Sequence, residues 1–191
     1  MLVAAVFVLL EIIKLWVFVE VFDFPVVQKL PLDLCRINAL LCAVMLARRS
    51  YAVFEVTYFW TFAGSVAALL TPDLRQGFPH PFYMLFFFSH GLVVVAALFA
   101  IFAWDFAPRL RSVGKALLAT ALYATAILPL NYLLDANYLY LRTKPVGASV
   151  LDFFGPWPWY LLGLALLCVF MCLACYAPFA WRANQSPAAS S

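Results

Sequence analysis

Apolar runs long enough to cross a lipid bilayer fill most of this chain of 191 residues. A hydrocarbon core of roughly 30 Å requires about 20 residues of helix per crossing. Six stretches approach that length: 2–22, 31–48, 51–70, 82–104, 113–134 and 158–180. Charged residues make up only 11% of the chain, too few to cover a soluble domain of this size. The sequence therefore predicts an all-α polytopic membrane bundle with about six transmembrane helices.

The loops between these runs predict the organisation and orientation of the bundle. Most prolines lie between runs or at their edges, and Pro129 within the fifth run is the exception. Residues 1–182 are predicted to form a single transmembrane domain, followed by a disordered Ser/Ala-rich tail at 183–191. Basic residues number six in one set of alternate loops and four in the other, which predicts that both termini are cytoplasmic.

Several classes of function are disfavoured by the composition. The net charge of +3 is scattered along the chain, so no basic patch for nucleic acid is predicted. The sequence contains no P-loop, Rossmann fingerprint, HExxH or GxSxG motif, and we predict neither a cofactor nor a metal site. Cys168, Cys172 and Cys175 share one face of the sixth run, where helix packing or acylation is favoured over metal binding.

Charged residues inside apolar runs are costly in a bilayer, so they are expected to pair or to serve a function. Glu11 and Lys14 lie three residues apart on one face of the first run, and an intrahelical ion pair is the favoured interpretation. Glu55 follows Arg48 and Arg49 closely in the sequence. We predict that it is a structural carboxylate that snorkels or pairs with those arginines.

Cys35 and His90 carry the most reactive side chains within the predicted spans. A lone membrane histidine is as readily a buried neutral imidazole bonded to a hydroxyl as a general base or ligand. Most membrane cysteines are apolar fillers, but a cation such as the neighbouring Arg36 favours the nucleophilic thiolate. Both helices are predicted to enter from the same side, with the two residues roughly 7 Å apart in depth. This geometry permits a thiol–imidazole pair without requiring one.

Seven short strings of this chain resemble the bacterial YwaF-type integral membrane proteins. They place Pro, Trp, Asn and His where hydrophobicity alone would not, and they occur in the family's order. The strings are LPLDLCR (30–36), ALLTPDL (68–74), FPHP (78–81), FSHG (88–91), NYLL (131–134), NYLYL (137–141) and GPWPWY (155–160). The resemblance implies a helical protein of the bacterial inner (cell) membrane.

The YwaF-type family is distantly similar to the transmembrane protein 164 acyltransferases of animals. Those enzymes move fatty acyl chains onto ether phospholipids with a membrane-embedded cysteine and histidine, which correspond to Cys35 and His90 in this chain. The chain departs from the family at Asp33, where many members have a histidine, and many members begin with a further N-terminal helix. These departures remove one candidate base beside Cys35 and favour a partner subunit.

The leading hypothesis is acyl transfer or acyl-ester hydrolysis on membrane lipids at the outer leaflet, with His90 activating Cys35. The residues predicted to bind substrate are Arg36, Arg142 and Lys144, at the lipid phosphate, and Asn131, which would orient His90 or the oxyanion. The alternative is a non-enzymatic accessory or scaffold subunit of a larger membrane protein complex. A transporter ranks below both, because no inverted repeat is visible.

Overall fold

The computed structural model describes residues 2–17, 30–72, 74, 76–145 and 149–185. Within these residues the fold is entirely helical and contains no strand, as the sequence predicts. The long helices are α1 (Leu2–Trp16), α2 (Leu34–Arg48), α3 (Tyr51–Leu70), α4 (Pro81–Trp104), α5 (Leu110–Leu133) and α6 (Trp159–Gln185). Two short 3-10 helices, Tyr138–Tyr140 and Val150–Phe154, lie between α5 and α6.

Four of these helices, α3 to α6, are long and apolar enough to cross a membrane. Helix α2 has 15 residues, which at about 1.5 Å per residue reach roughly 22 Å and fall short of the hydrocarbon core. It is shorter than the predicted run 31–48, because Asp33 adopts extended backbone angles at the N-cap and the helix starts at Leu34. Helix α1 also has 15 residues, and the rest of the first predicted span lies largely outside the described residues. The prediction of about six complete spans is therefore confirmed for four helices.

The ends of the long helices follow local chemistry. Helix α4 begins with Pro81, and the His80 ring accepts a hydrogen bond of 3.2 Å from the backbone N–H of Phe82. Pro129 lies inside α5 as predicted, and Pro178 lies inside α6 in the same way. Helix α6 continues to Gln185 and so includes the first three residues of the predicted tail 183–191, of which residues 186–191 lie outside the described part.

Helix α3 contains a π-helical segment, Trp60–Ser65, which the sequence analysis does not predict. The backbone N–H of Val66 donates to the carbonyl of Thr61, five residues earlier instead of four. Such segments are rare and frequently occur at functional sites. Here the segment contains Thr61 and Ser65, whose side chains are fully buried.

Helix α2 packs against α1, α3 and α4. Small buried side chains such as Ala39 and Ala43 on α2 and Ala97 on α4 allow the helices to approach closely. Two polar contacts tie α3 to the far side of the bundle. The Tyr58 hydroxyl donates to the carbonyl of Cys175 on α6 at 2.8 Å, and the Trp60 indole donates to Thr120 on α5 at 2.8 Å.

The outward faces of the spanning helices are strongly apolar. Large exposed side chains on α4 and α6 include Val95, Phe99, Phe102, Leu162, Leu166 and Phe170. A soluble monomer rarely exposes apolar patches of this extent, whereas a surface that faces lipid does. The spanning helices α3 to α6 are therefore embedded in a membrane and in contact with its lipids. The side of the membrane that each end faces stays a prediction from the loop charges.

The pairing predicted for Glu55 is wrong. Glu55 is buried between α3 and α5, where it accepts a hydrogen bond of 2.7 Å from the Ser112 hydroxyl and forms an ion pair with Lys115. Arg49 lies instead over the ring of Trp104, at 5.5 Å from its centroid. The reason is that α5 packs directly on α3 and brings a cation from far along the chain, which sequence proximity cannot show.

Candidate functional site

A cavity of about 740 Å³ lies at the end of the bundle where α2 and α4 begin and α3 ends. Its walls are the first turn of α2, the last turns of α3, the first three turns of α4, Lys14 of α1 and the segment 135–140 that follows α5. The volume falls in the range of small-molecule sites, roughly 300–1,000 Å³. The cavity is therefore large enough to hold part of a lipid molecule.

Cys35 and His90 both line this cavity. Cys35 lies in the first turn of α2 and is half-buried, and His90 lies in the third turn of α4 and is 9% exposed. Both helices start at the cavity end of the bundle, in agreement with the predicted parallel entry. The structure therefore brings the two residues predicted to be catalytic to one cavity.

The surroundings of the His90 ring indicate which nitrogen is basic. Its Nδ1 lies 2.8 Å from the carbonyl oxygen of Phe86. The His90 ring also packs against the Phe86 ring, with the ring centroids 4.1 Å apart. A carbonyl oxygen can only accept a hydrogen bond, so this contact requires the hydrogen on Nδ1. Nε2 then carries the lone pair and is the nitrogen able to take a proton. The predicted hydroxyl partner is replaced by a backbone carbonyl.

Three charged residues form a buried cluster beside the cavity. Glu11 and Lys14 make the predicted intrahelical ion pair on α1, and the Arg36 guanidinium donates from Nε to Oε2 of Glu11 at 3.0 Å. Arg36 also donates to the carbonyl of Leu30 at 3.2 Å. All three charged side chains are buried, and Lys14 and Arg36 line the cavity. This cluster joins α1 to α2 and places two cations in the cavity wall.

The charge cluster acts electrostatically on both candidate catalytic residues. Lys14 is close enough to Cys35 and to His90 to interact with each of them. Burial is the largest influence on Cys35 and disfavours its thiolate, and the Asp33 carboxylate disfavours it further, whereas the Lys14 cation acts in the opposite direction. The contribution of Lys14 was not predicted from the sequence, although a lysine inside an apolar run is the signal that could have indicated it.

The other predicted substrate-binding residues lie behind the cavity wall. The Asn131 side chain, fully buried, donates to the carbonyl of Tyr138 at 2.9 Å and accepts from its backbone N–H at 2.8 Å. Arg142 donates to the Asp135 carboxylate at 2.8 Å and to the carbonyl of Asn131 at 3.0 Å. Lys144 lies 3.7 Å from the Asp152 carboxylate. These side chains fasten the segment 135–140 and its neighbours, and they are not part of the cavity lining.

The four apolar spanning helices, with a cavity at one end of the bundle that both apolar and charged side chains line, define a helical integral membrane protein. A sequence model of the TMEM164 family matches residues 1–176, and the chain belongs to that family. An uncharacterized protein of Treponema pallidum (strain Nichols) is 31% identical over 153 residues, which make up 80% of this chain and 63% of the relative. This chain thus spans less than two thirds of that relative's length. No solved structure matched the chain.

Family membership agrees with the distant similarity that the sequence strings indicate. The matched region includes every helix of the cavity wall and ends within α6. The finer placement among YwaF-type bacterial proteins, and the location in a bacterial inner membrane, stay predictions.

Proposed function

We propose that this chain catalyses acyl transfer, or acyl-ester hydrolysis, on membrane phospholipids through a cysteine nucleophile. The observation that supports the proposal most strongly is that Cys35 and His90 line one cavity inside a membrane-embedded bundle. A nucleophile and a base that share a cavity are the minimum requirement for covalent acyl transfer. Membership of the TMEM164 family supports the same chemistry.

In the proposed reaction, Nε2 of His90 takes the proton of the Cys35 thiol, and the sulfur attacks the carbonyl carbon of a lipid acyl ester. The ester C–O bond breaks, and the leaving alkoxide of the lysolipid takes the proton from His90. The acyl chain is then held on Cys35 as a thioester. A hydroxyl of a second lipid, or water, attacks the thioester with His90 again as base, which restores the thiol.

The phosphate of the lipid would lie against Lys14 and Arg36. Both side chains are buried beside Cys35 and carry positive charge into the cavity wall. The hydrogen bonds of Asn131, Arg142 and Lys144 favour an indirect role for these three. They would hold the segment 135–140 as a wall of the lipid site, in place of the direct contacts that the sequence analysis predicts.

Intact-mass analysis tests the proposal directly. The purified protein is mixed with a phospholipid whose acyl chain carries an alkyne label, and the labelled peptide is identified after proteolysis. We expect one hydroxylamine-sensitive acyl adduct on Cys35, absent in Cys35→Ala and formed about 100-fold more slowly or less in His90→Ala. Cys42→Ala is the matched control, because Cys42 lies two turns along the same helix and is fully buried.

Two results would contradict the proposal. One is an adduct that persists in Cys35→Ala. The other is a wild-type protein that forms no adduct and no lysolipid, and that co-purifies at fixed stoichiometry with another membrane protein whether or not Cys35 and His90 are substituted. The second result would support the alternative hypothesis, in which the chain is a non-enzymatic accessory or scaffold subunit.

A further inference from the structure

The Ser65 hydroxyl lacks the hydrogen bond that most other Ser and Thr hydroxyls of the described helices make. Five other Ser or Thr hydroxyls donate to a carbonyl of their own helix, three or four residues earlier: Thr57, Thr71, Ser89, Thr120 and Thr125. Ser65 Oγ is fully buried and makes no hydrogen bond with any residue that the structure describes. A buried hydroxyl without a partner is destabilising, so its position calls for an explanation.

The difference coincides with the π-helical segment of α3. Ser65 is the last residue of Trp60–Ser65, where the backbone bond spans five residues and the carbonyl of Thr61 is taken by the N–H of Val66. In a regular helix a serine hydroxyl can share the carbonyl four residues earlier with a backbone N–H, but at the end of this widened turn Ser65 makes no such bond. The Ser65 hydroxyl is left to interact with a neighbouring helix.

The register of α2 against α3 places Cys35 opposite Ser65. The two helices are antiparallel neighbours joined by a short turn, and the Asn38 amide donates to the Thr61 hydroxyl at 3.0 Å. Cys35 lies one helical turn from Asn38 on α2, and Ser65 lies one turn from Thr61 on α3, both toward the cavity. The Ser65 hydroxyl is close enough to act on the Cys35 thiol as a hydrogen-bond donor.

We infer that Ser65 is a positioning residue for the nucleophile. Its O–H donates to the Cys35 sulfur as the thiolate forms, which holds the sulfur in one orientation toward the cavity and stabilises its negative charge. Ser65 does not line the cavity, so it acts through Cys35 and not on the lipid. The inference rests on the proposed function, because it assigns the serine to the nucleophile of that reaction.

Alkylation of Cys35 measures this interaction without any lipid or acyl step. The full-length protein in detergent is treated with N-ethylmaleimide at pH 6 to 10, and the rate of modification of the Cys35 peptide is followed by mass spectrometry. In Ser65→Ala we expect modification to slow by about tenfold throughout this range, because the whole pH profile moves up by about one unit. Ser65→Thr retains the hydroxyl and should recover most of the wild-type rate.

Thr61→Val is the matched control. It removes a buried hydroxyl from the same π-helical segment and the same helix interface, but that hydroxyl contacts Asn38 and lies one turn from Cys35. A role for Ser65 in packing alone would give Ser65→Ala and Thr61→Val the same small effect on the pH profile. Such a result, or a loss of rate in Ser65→Thr equal to that in Ser65→Ala, would overturn the inference.

The outcome separates this inference from the proposed function. A shifted profile in Ser65→Ala supports the serine role even in a protein that forms no acyl adduct, in which case only the proposed acyl transfer fails. If the pH profile of Ser65→Ala is unshifted and the wild-type protein forms the adduct on Cys35, the positioning role of Ser65 is refuted and the proposed acyl transfer is supported.

Discussion

Replacing Glu11 by glutamine should destabilise the bundle strongly, although the change removes one charge and almost no volume. Glu11 is the carboxylate shared by Lys14 on its own helix and Arg36 on α2. All three side chains are no more than 10% exposed. The amide of the substituted side chain retains an oxygen that accepts from Arg36, but the two buried cations lose their shared counter-charge.

The size of the effect follows from the burial. Removing one partner of a buried ion pair costs about 3–5 kcal/mol, because the remaining charge is left uncompensated. The retained hydrogen bond to the amide offsets part of that loss, and we expect a cost of about 3 kcal/mol for Glu11→Gln. Removing Lys14 as well, in Glu11→Gln with Lys14→Met, leaves one cation instead of two and should recover a large part of the stability.

Reversible unfolding by SDS in mixed micelles, followed by circular dichroism, gives the free energies. The control is Asp135→Asn, which breaks the ion pair with Arg142 where the carboxylate is 92% exposed. That change should cost less than about 1 kcal/mol. The reasoning is refuted if Glu11→Gln is as mild as Asp135→Asn, or if adding Lys14→Met to it makes the protein less stable still.

Two further predictions concern the segment between α5 and α6. A Cβ on Gly163 would overlap the Phe154 ring, so Gly163→Ala should destabilise the protein by about 1–3 kcal/mol in an unfolding titration, despite the better helix propensity of alanine. In a Phe154→Ala background the ring is absent, and the same change should be neutral or stabilising. Asn131→Ala removes the buried side chain that accepts from the backbone N–H of Tyr138 and donates to its carbonyl, and it should cost about 1–3 kcal/mol. Hydrogen exchange at Tyr138 should then become much faster than in wild type, and unchanged exchange there would contradict the role of Asn131.

Much of the fold could be predicted from local sequence. Helices α4, α5 and α6 begin and end within a few residues of the predicted runs, because long apolar segments and prolines at their edges act over short distances. The predicted start of α2 is three residues too early, since Pro31 and Leu32 are apolar enough to extend the run although they are not helical. Hydrophobicity alone cannot distinguish an apolar helix from apolar, non-helical residues that precede it.

The candidate site could be predicted only in part. Residue type and family resemblance indicate Cys35 and His90, and the structure places both on one cavity. The phosphate role predicted for Arg142 depends on charge and loop position, which do not show that its guanidinium is engaged by Asp135. Ser65 gives no signal, because its significance depends on a π-helical turn that has no marker in the sequence.

By itself, the sequence determined that this chain is a helical membrane protein, which residues carry charge into the bilayer, and that Glu11 and Lys14 pair along one helix. Each of these depends on composition or on spacings of a few residues. Only the tertiary structure decided that Arg36 joins that pair, that Lys115 pairs with Glu55, and that Ser65 lies opposite Cys35. Those partners lie between 25 and 60 residues apart, and their meeting depends on how whole helices pack and in which register.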